Sequence, residues 1–334
     1  MAEPLLDIRD LRVSFRTRRG VITAVDGLSF SVDAGQVLGI VGESGSGKSV
    51  SMLSLLKLIR DPNAQVSGTA TFAGQDLLAM SDKQLRAIRG RDIAMIFQDP
   101  MTALTPVYTI GWHIAEQIRT HEAVSRNEAR ERAVRLLEEV GIANAARRVD
   151  DYPHQFSGGM RQRAVIALAL ACNPRLLIAD EPTTALDVTT QAQILNLMRR
   201  LRETHGSAIV VITHDMGVVS EMSDRVLVMY GGRAVEHGTT TEVLRRPRHP
   251  YTWGLLGSVP RVTGPKARRL AAIPGASISP FDVHTGCAFA PRCAFRLPDC
   301  DEPPRLTGAG GHLDACWLPA GDRDQLRRAS REPR

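Results

Sequence analysis

The sequence lacks any long hydrophobic run. An α-helix needs roughly 20 apolar residues to cross a bilayer, and no apolar stretch of this chain approaches that length. Its first ten residues, MAEPLLDIRD, carry acidic side chains and lack the basic start and long apolar stretch of a secretory signal. We therefore expect the chain to remain in the cytoplasm and to reach a membrane only through a partner.

Cysteine is scarce until the end of the chain, where four of the five cysteines fall within the last 50 residues. In a cytosolic protein this clustering indicates metal binding rather than disulfides. The four are Cys287, Cys293, Cys300 and Cys316, and none forms the C-x-x-C pair typical of structural zinc. Four thiolates suit either zinc or an iron–sulfur cluster, and the wide spacing favours the cluster, with no metal at all as the third alternative.

The composition indicates a globular protein with a large core, since 43% of the 334 residues are hydrophobic. This length accommodates one large domain and a smaller one. The net charge of +6 permits contact with nucleic acid or anionic lipid. The basic residues are scattered rather than banded, which favours a solvated arginine-rich surface instead.

Residues 36–49, QVLGIVGESGSGKS, have the spacing G-x-x-x-x-G-K-S of a phosphate-binding P-loop. An apolar run predicts a buried strand before the loop, and a helical pattern follows it to about residue 59. Glycines let several backbone N–H groups converge on phosphate oxygens, and the helix dipole favours an anion. A lysine here can reach the β and γ phosphates, and a serine hydroxyl can ligate Mg²⁺. The predicted phosphate-binding residues are Gly42, Glu43, Ser44, Gly45, Ser46, Gly47, Lys48 and Ser49.

Three further apolar runs, each predicted to be a buried strand, end in polar side chains suited to catalysis. The run RLLIADE ends in Asp180, which is placed to bind Mg²⁺ through water, and Glu181, which is placed to polarise an attacking water. Gln98 follows another run and is either a ligand for a metal ion or water, or an ordinary polar strand end. His214 follows the third, where it could lie near a γ-phosphate, although a lone histidine is usually structural.

Two more positions are compatible with nucleotide binding, and each has a structural alternative. Ser157, Gly158 and Gly159 stand where a helix begins, which suits either phosphate binding or a serine N-cap. Phe15 stands near the end of a predicted strand, where it could stack on a base or pack within the sheet.

The ordered set of these motifs resembles the ATP-binding-cassette (ABC) ATPases. The resemblance implies an α/β fold: a P-loop NTPase cassette with a RecA-like core, an antiparallel β subdomain and an α-helical subdomain. Phe15 then matches the adenine-stacking A-loop, Gln98 the Q-loop, and Ser157 to Gly159 the signature. Asp180 matches the Walker B aspartate and Glu181 the catalytic glutamate. Thr184 to Asp187 match the D-loop, and His214 the switch histidine.

The resemblance also predicts the domain organisation. Residues 1–245 form the cassette, with a helical insertion at about 100–160. Residues 246–320 form a small, irregular, cysteine-rich extension punctuated by prolines, and residues 321–334 form a frayed, charged tail.

Four segments narrow the resemblance to the ATPase subunits of oligopeptide/dipeptide importers: QDPMTALTP, YPHQFSGGMRQR, HPYTWGLLGSVP with the following IPG, and GCAFAPRC. The likeness implies ATP hydrolysis with Mg²⁺, held by Ser49, Gln98 and Asp180, and a structural [4Fe–4S] cluster on the four cysteines, with Zn²⁺ as the alternative. The implied partners are a second, related ATPase in a heterodimer, two transmembrane permeases and an extracytoplasmic peptide-binding protein, but no nucleic acid.

By this likeness the chain lies peripherally on the cytoplasmic face of the cell membrane. The transported solute stays open among dipeptides, oligopeptides, nickel and other small solutes. The two alternative functions are a soluble cassette ATPase acting on nucleic acid or ribosomes, and a nucleotide-sensing, metal-binding regulatory scaffold.

Overall fold

A computed structural model describes residues 3–184, 186–258, 273–278 and 285–329. The chain divides into two compact units, each assembled from separate segments. The first unit comprises Met1–Leu5, Val32–Val37 and Ala79–Ile212. The second unit comprises Leu6–Ser31, Leu38–Leu78 and Thr213–Arg334.

Twelve strands are described in this part of the chain: β1 Leu6–Thr17, β2 Gly20–Val32, β3 Val37–Val41, β4 Ala64–Phe72, β5 Gln75–Asp76, β6 Ile93–Ile96, β7 Leu176–Asp180, β8 Ala208–Thr213, β9 Arg225–Tyr230, β10 Arg233–Thr239, β11 Thr307–Ala309 and β12 His312–Asp314. The described helices are α1 Lys48–Leu55, α2 Asp82–Ile88, α3 Pro100–Ala103, α4 Ile110–His121, α5 Arg126–Glu139, α6 Ala145–Arg148, α7 Gly158–Leu170, α8 Val188–His205, α9 Met216–Met222, α10 Thr240–Arg245, α11 Pro250–Gly257 and α12 Ala320–Ala329.

The first unit contains the parallel strands β6, β7 and β8, with β7 in the middle. All residues of β7 and β8 are buried. Such continuous apolar runs are typical of parallel strands covered on both faces. Two helices of this unit begin at serine caps: Ser81 forms a capping box with Gln84, and the Ser125 side chain accepts a hydrogen bond from the N–H of Glu128. Helices α4, α5 and α7 pack together.

The second unit contains two groups of strands. An antiparallel sheet has the order β2-β1-β4-β5, and its β1–β2 connection is a turn between Thr17 and Gly20. In the other group, β3 runs parallel to β9, and β9 turns back into β10 at Gly231-Gly232. Strand β12 pairs with β10, and β11 pairs with β12. A buried cluster that includes Tyr230, Tyr251 and Phe289 packs beside β9 and α11.

The C-terminal segment is more regular than the sequence predicts. The expected frayed tail begins instead as α12, whose Arg323 pairs with the buried Asp314 of β12 at 2.7 Å. Arg327 of the same helix donates to the carbonyl of Arg245 at 2.8 Å. These anchors explain the difference, because charge alone predicts a solvated tail. Parts of the predicted extended segment, 259–272 and 279–284, and the end of the predicted tail, 330–334, lie outside the described residues.

No helix within the described ranges combines the length and the apolarity that a bilayer span requires.

Candidate functional site

The P-loop, residues 42–49, connects β3 to α1, and two of its glycines, Gly42 and Gly47, have no room for a side chain. A Cβ on Gly42 would lie 2.2 Å from the carbonyl oxygen of Met229. Gly47 adopts a φ of +94°, and its Cβ would lie 2.3 Å from the carbonyl oxygen of Ala24. Because only glycine tolerates both constraints, the loop follows a tightly curled path that other residues could not adopt.

Lys48 begins α1 and turns its ammonium back into the loop. Its Nζ donates to the carbonyl oxygens of Gly42 at 2.8 Å and Glu43 at 2.9 Å, and to Ser46 Oγ at 3.3 Å. The side chain is buried. An anionic phosphate oxygen is a stronger partner for an ammonium than a neutral carbonyl is, so Lys48 can exchange these bonds for a phosphate. The helix N-terminus adds a favourable dipole at the same place.

In the first unit, the end of β7 brings together two of the predicted catalytic residues. Gln98 Nε2 donates to Glu181 Oε2 at 3.1 Å, and Thr184 Oγ1 donates to the same oxygen at 2.8 Å. Asp180, the last residue of β7, is buried. Carboxylate and amide groups gathered at the carboxyl end of a strand can hold a hydrated Mg²⁺ and orient a water.

The backbone at Glu181 is unusual, since its φ of +48° lies in a region that non-glycine residues rarely adopt. Its N–H donates to the carbonyl of Ile212 at 2.8 Å, and Gln162 Nε2 donates to the carbonyl of Pro182 at 2.6 Å. Strain of this kind persists only where the surroundings hold it, and it is concentrated at functional sites. The sequence analysis missed Gln162, a buried residue of α7 that supports the segment carrying Glu181.

The predicted signature residues form the start of α7. Ser157 is the N-cap, and its Oγ accepts a hydrogen bond from the N–H of Met160 at 3.4 Å. Ser157 and Gly158 are exposed, and a Cβ on Gly158 would meet nothing within 4 Å. The N-cap alternative is therefore observed, and the exposed helix start also stays open to an external anion.

The two remaining predicted residues belong to the second unit. Phe15 lies on β1 opposite Ala64 and is half-buried, so its ring is not enclosed in the sheet. His214 directly follows β8 and is exposed. Both positions leave side-chain surface available to a ligand.

The prediction of a metal or iron–sulfur site on the four C-terminal cysteines is wrong. All four lie in the described part of the chain, where no group of three or more histidine, cysteine or acidic side chains is arranged to hold a metal ion. Cys287 and Cys293 pack instead against the buried cluster around Phe289. Burial raises the pKa values of three of these thiols. The pKa of Cys287 is raised, the pKa of Cys293 is raised to about 11, and the pKa of Cys316 is raised to about 12. Metal ligation requires thiolates, which these surroundings disfavour.

Comparison with known proteins identifies the family to which the chain belongs. The ABC transporter family model matches residues 25–184, and the model for the oligopeptide/dipeptide transporter C-terminal region matches residues 235–300. A protein of Sinorhizobium fredii named "Probable peptide ABC transporter ATP-binding protein" is 51% identical over 319 residues, which are 95% of each chain.

Two solved structures share the fold. One is a dimeric ATP-binding cassette in a post-hydrolysis state bound to ADP and Pi, with a TM-score of 0.63 and 28% identity over 70% of this chain and 98% of its own. The other is cbiO1 from Clostridium perfringens, part of the ABC transporter complex cbiONQ. Its TM-score is 0.62 at 27% identity, over 73% of this chain and 92% of its own.

The α/β cassette fold of a P-loop NTPase is thereby confirmed. The chain belongs to the ABC transporter ATP-binding proteins, in the group that carries the oligopeptide/dipeptide transporter C-terminal region. It is an ATP-binding protein and an ATPase, for which Mg²⁺ is expected. The comparisons support neither the nucleic-acid alternative nor the regulatory scaffold.

Proposed function

We propose that this chain powers the import of dipeptides or oligopeptides by hydrolysing ATP. The observation that carries the proposal is the pairing of a complete set of cassette motifs with the oligopeptide/dipeptide transporter C-terminal region at residues 235–300. The name of the Sinorhizobium relative, which covers 95% of the chain, points the same way.

Within this function, the P-loop binds the phosphates of ATP, and Phe15 stacks on the adenine. Ser49, Gln98 and Asp180 hold Mg²⁺, directly or through water. Glu181 polarises the attacking water, and its contacts with Gln98 and Thr184 support this role because they hold the carboxylate in one orientation. His214 senses the γ-phosphate.

A second cassette completes the site. The exposed start of α7, with Ser157 and Gly158 open to the surroundings, suits the phosphates of a nucleotide held by another molecule. We propose a heterodimer with a related ATPase that closes on ATP and opens after hydrolysis, driven by the different affinities of ATP and ADP for the two states. The solved cassette bound to ADP and Pi is itself dimeric.

The partners in the membrane are two permease subunits, supplied with solute by an extracytoplasmic binding protein. The first unit offers them an apolar surface formed by Val107, Tyr108 and Trp112, which are 70%, 43% and 42% exposed. The Tyr108 and Trp112 rings stack with centroids 3.8 Å apart. Contiguous exposed aromatic surface is typical of protein–protein contacts. The chain would then be peripheral, on the cytoplasmic face of the membrane.

Peptide uptake by cells that lack the native gene tests the proposal. The wild-type chain should restore uptake of a labelled dipeptide, and Lys48→Ala should not, because the P-loop would lose its cation. Lys83→Ala, on the exposed face of α2, is the matched control and should restore uptake fully. Restoration by Lys48→Ala would contradict the proposed function.

A further inference from the structure

Glu43, the second residue of the P-loop, is held by side chains more than 200 residues away in the sequence. Its backbone N–H donates to Tyr251 Oη at 2.8 Å, and its Oε2 accepts from Ser277 Oγ at 2.7 Å. Arg292 grips both carboxylate oxygens, with Nη1–Oε2 at 2.7 Å and Nη2–Oε1 at 3.1 Å. All three partners lie within the matched C-terminal region, residues 235–300.

Contacts with other residues hold the Arg292 side chain in place beside Glu43. Its Nε donates to the carbonyl of Pro274 at 2.9 Å, and its Nη1 donates to Tyr230 Oη at 3.2 Å. The Arg292 side chain is 8% exposed. Two hydrogen bonds from a fixed guanidinium orient a carboxylate more firmly than the flexible ammonium of a lysine would.

The charges of Glu43, Arg292 and Lys48 explain why the contact between Arg292 and Glu43 affects nucleotide binding. Burial of Glu43 opposes its ionisation, but hydrogen bonds from Arg292 and Ser277 and the positive charges of Arg292 and Lys48 lower its pKa overall. Glu43 is therefore an anion within the loop that must receive anionic phosphates. Its carboxylate also interacts with Lys48, the cation that we assign to those phosphates. Without Arg292, Glu43 would compete with the phosphates for Lys48 and repel them.

We propose that Arg292 is a positioning residue for ATP binding, through which the C-terminal region neutralises Glu43 and holds the P-loop in its phosphate-binding shape. This inference rests on the proposed assignment of residues 42–49 to the phosphates of ATP. It gives the C-terminal region a direct part in the nucleotide site.

The test compares ATP affinity and steady-state hydrolysis for variants of the full-length chain. Arg292→Ala should raise the Kd and KM for ATP about tenfold, the size expected for a carboxylate that loses a charge-assisted partner, while kcat at saturating ATP changes by less than about twofold. The double variant Arg292→Ala/Glu43→Gln should recover most of the affinity, because the uncompensated charge is gone. Arg296→Ala is the matched control: Arg296 belongs to the same region but pairs with the exposed Asp301, and its loss should leave ATP binding unchanged.

Two outcomes would overturn the inference. One is wild-type ATP affinity in Arg292→Ala. The other is a double variant as weak as Arg292→Ala, which would mean that Arg292 only supports the fold. If Arg292→Ala does not fold, Arg292→Lys decides instead: it keeps the charge without the two-point grip and should raise the Kd about threefold, and an unchanged Kd overturns the inference.

Lys48→Ala separates this inference from the proposed function. If Lys48→Ala binds ATP as tightly as the wild type, the assignment of the P-loop fails. If it loses ATP while Arg292→Ala does not, only the role of Arg292 fails.

Discussion

Gln98 and Thr184 donate hydrogen bonds to the same oxygen of Glu181, at 3.1 and 2.8 Å. Gln98 follows β6, whereas Glu181 and Thr184 follow β7, so the contact joins the ends of two neighbouring parallel strands. The arrangement holds a carboxylate whose backbone is already constrained at φ +48°. A general base positioned in this way needs little reorganisation before it acts on water.

Replacing Glu181 with glutamine should abolish turnover and leave ATP binding intact. The amide keeps the size of the side chain but cannot accept a proton, so kcat should fall by about 100-fold or more. Steady-state hydrolysis and equilibrium ATP binding measure the two effects. Glu203→Gln, at an exposed position of α8, is the matched control. Undiminished hydrolysis in Glu181→Gln would reject the role of Glu181.

Replacing Thr184 with valine should lower kcat without weakening ATP binding. Valine has nearly the same shape but removes the hydroxyl that orients Glu181. Because Thr184 is exposed, water compensates in part, and we expect a fall of about three- to tenfold. Thr184→Ser keeps the hydroxyl and should retain most of the rate. Equal losses in the valine and serine variants would show that the rate does not depend specifically on the hydroxyl, and would contradict its role in orienting Glu181.

The P-loop could be predicted from the sequence because its determinants are local. A run of five apolar residues makes β3, and α1 follows the loop from Lys48, although it ends at Leu55 and not near residue 59 as the sequence predicts. The glycine-rich segment between β3 and α1 is short, so few backbone conformations can connect the strand to the helix. The helix caps at Ser81 and Ser125 were predictable for the same reason: each depends on residues within one helical turn.

Contacts between distant residues could not be predicted in this way. The sequence around Glu43 does not indicate that Tyr251, Ser277 and Arg292 surround it, since these residues lie 208, 234 and 249 positions further along the chain. The four cysteines misled the sequence analysis for a related reason. Their number suggested a metal, but whether thiols become ligands depends on their burial, and here Cys287 and Cys293 pack in an apolar cluster.

The second unit should lose stability in mild acid because it buries neutral histidines. Burial, reinforced by the charge of Arg225, lowers the pKa of His237 from 6.5 to about 4. Burial and the charge of Arg323 lower that of His249 from 6.5 to about 3. Above pH 6.5 both rings are neutral whether the chain is folded or unfolded. Below pH 6.5 these two rings take up protons only in the unfolded chain, so the free energy of unfolding should fall as the pH is lowered. The contribution of His237 should continue to fall until about pH 4, and that of His249 until about pH 3.

Urea unfolding between pH 7 and pH 4.5 measures this effect. His237→Gln cannot take up a proton, so its unfolding free energy should fall less steeply, by at most about 1.4 kcal/mol per pH unit relative to the wild type. Carboxylates titrate in the same range, but they do so equally in both proteins and cancel in the comparison. Parallel pH profiles for the two proteins would contradict the assignment.

Replacing Trp112 with alanine should uncouple the ATPase from transport while sparing ATP binding. Trp112 is 42% exposed and stacks on Tyr108, so the pair presents a rigid aromatic surface that a permease could cover. Truncating such an anchor typically weakens association by about 2 kcal/mol, roughly thirtyfold. Trp317 has the same 42% exposure but lies in the second unit, which makes Trp317→Ala the matched control. Permease recovery on affinity-purified ATPase, together with dipeptide uptake, should fall for Trp112→Ala and not for Trp317→Ala. Equal recovery with both variants would place the permease contact elsewhere on the chain.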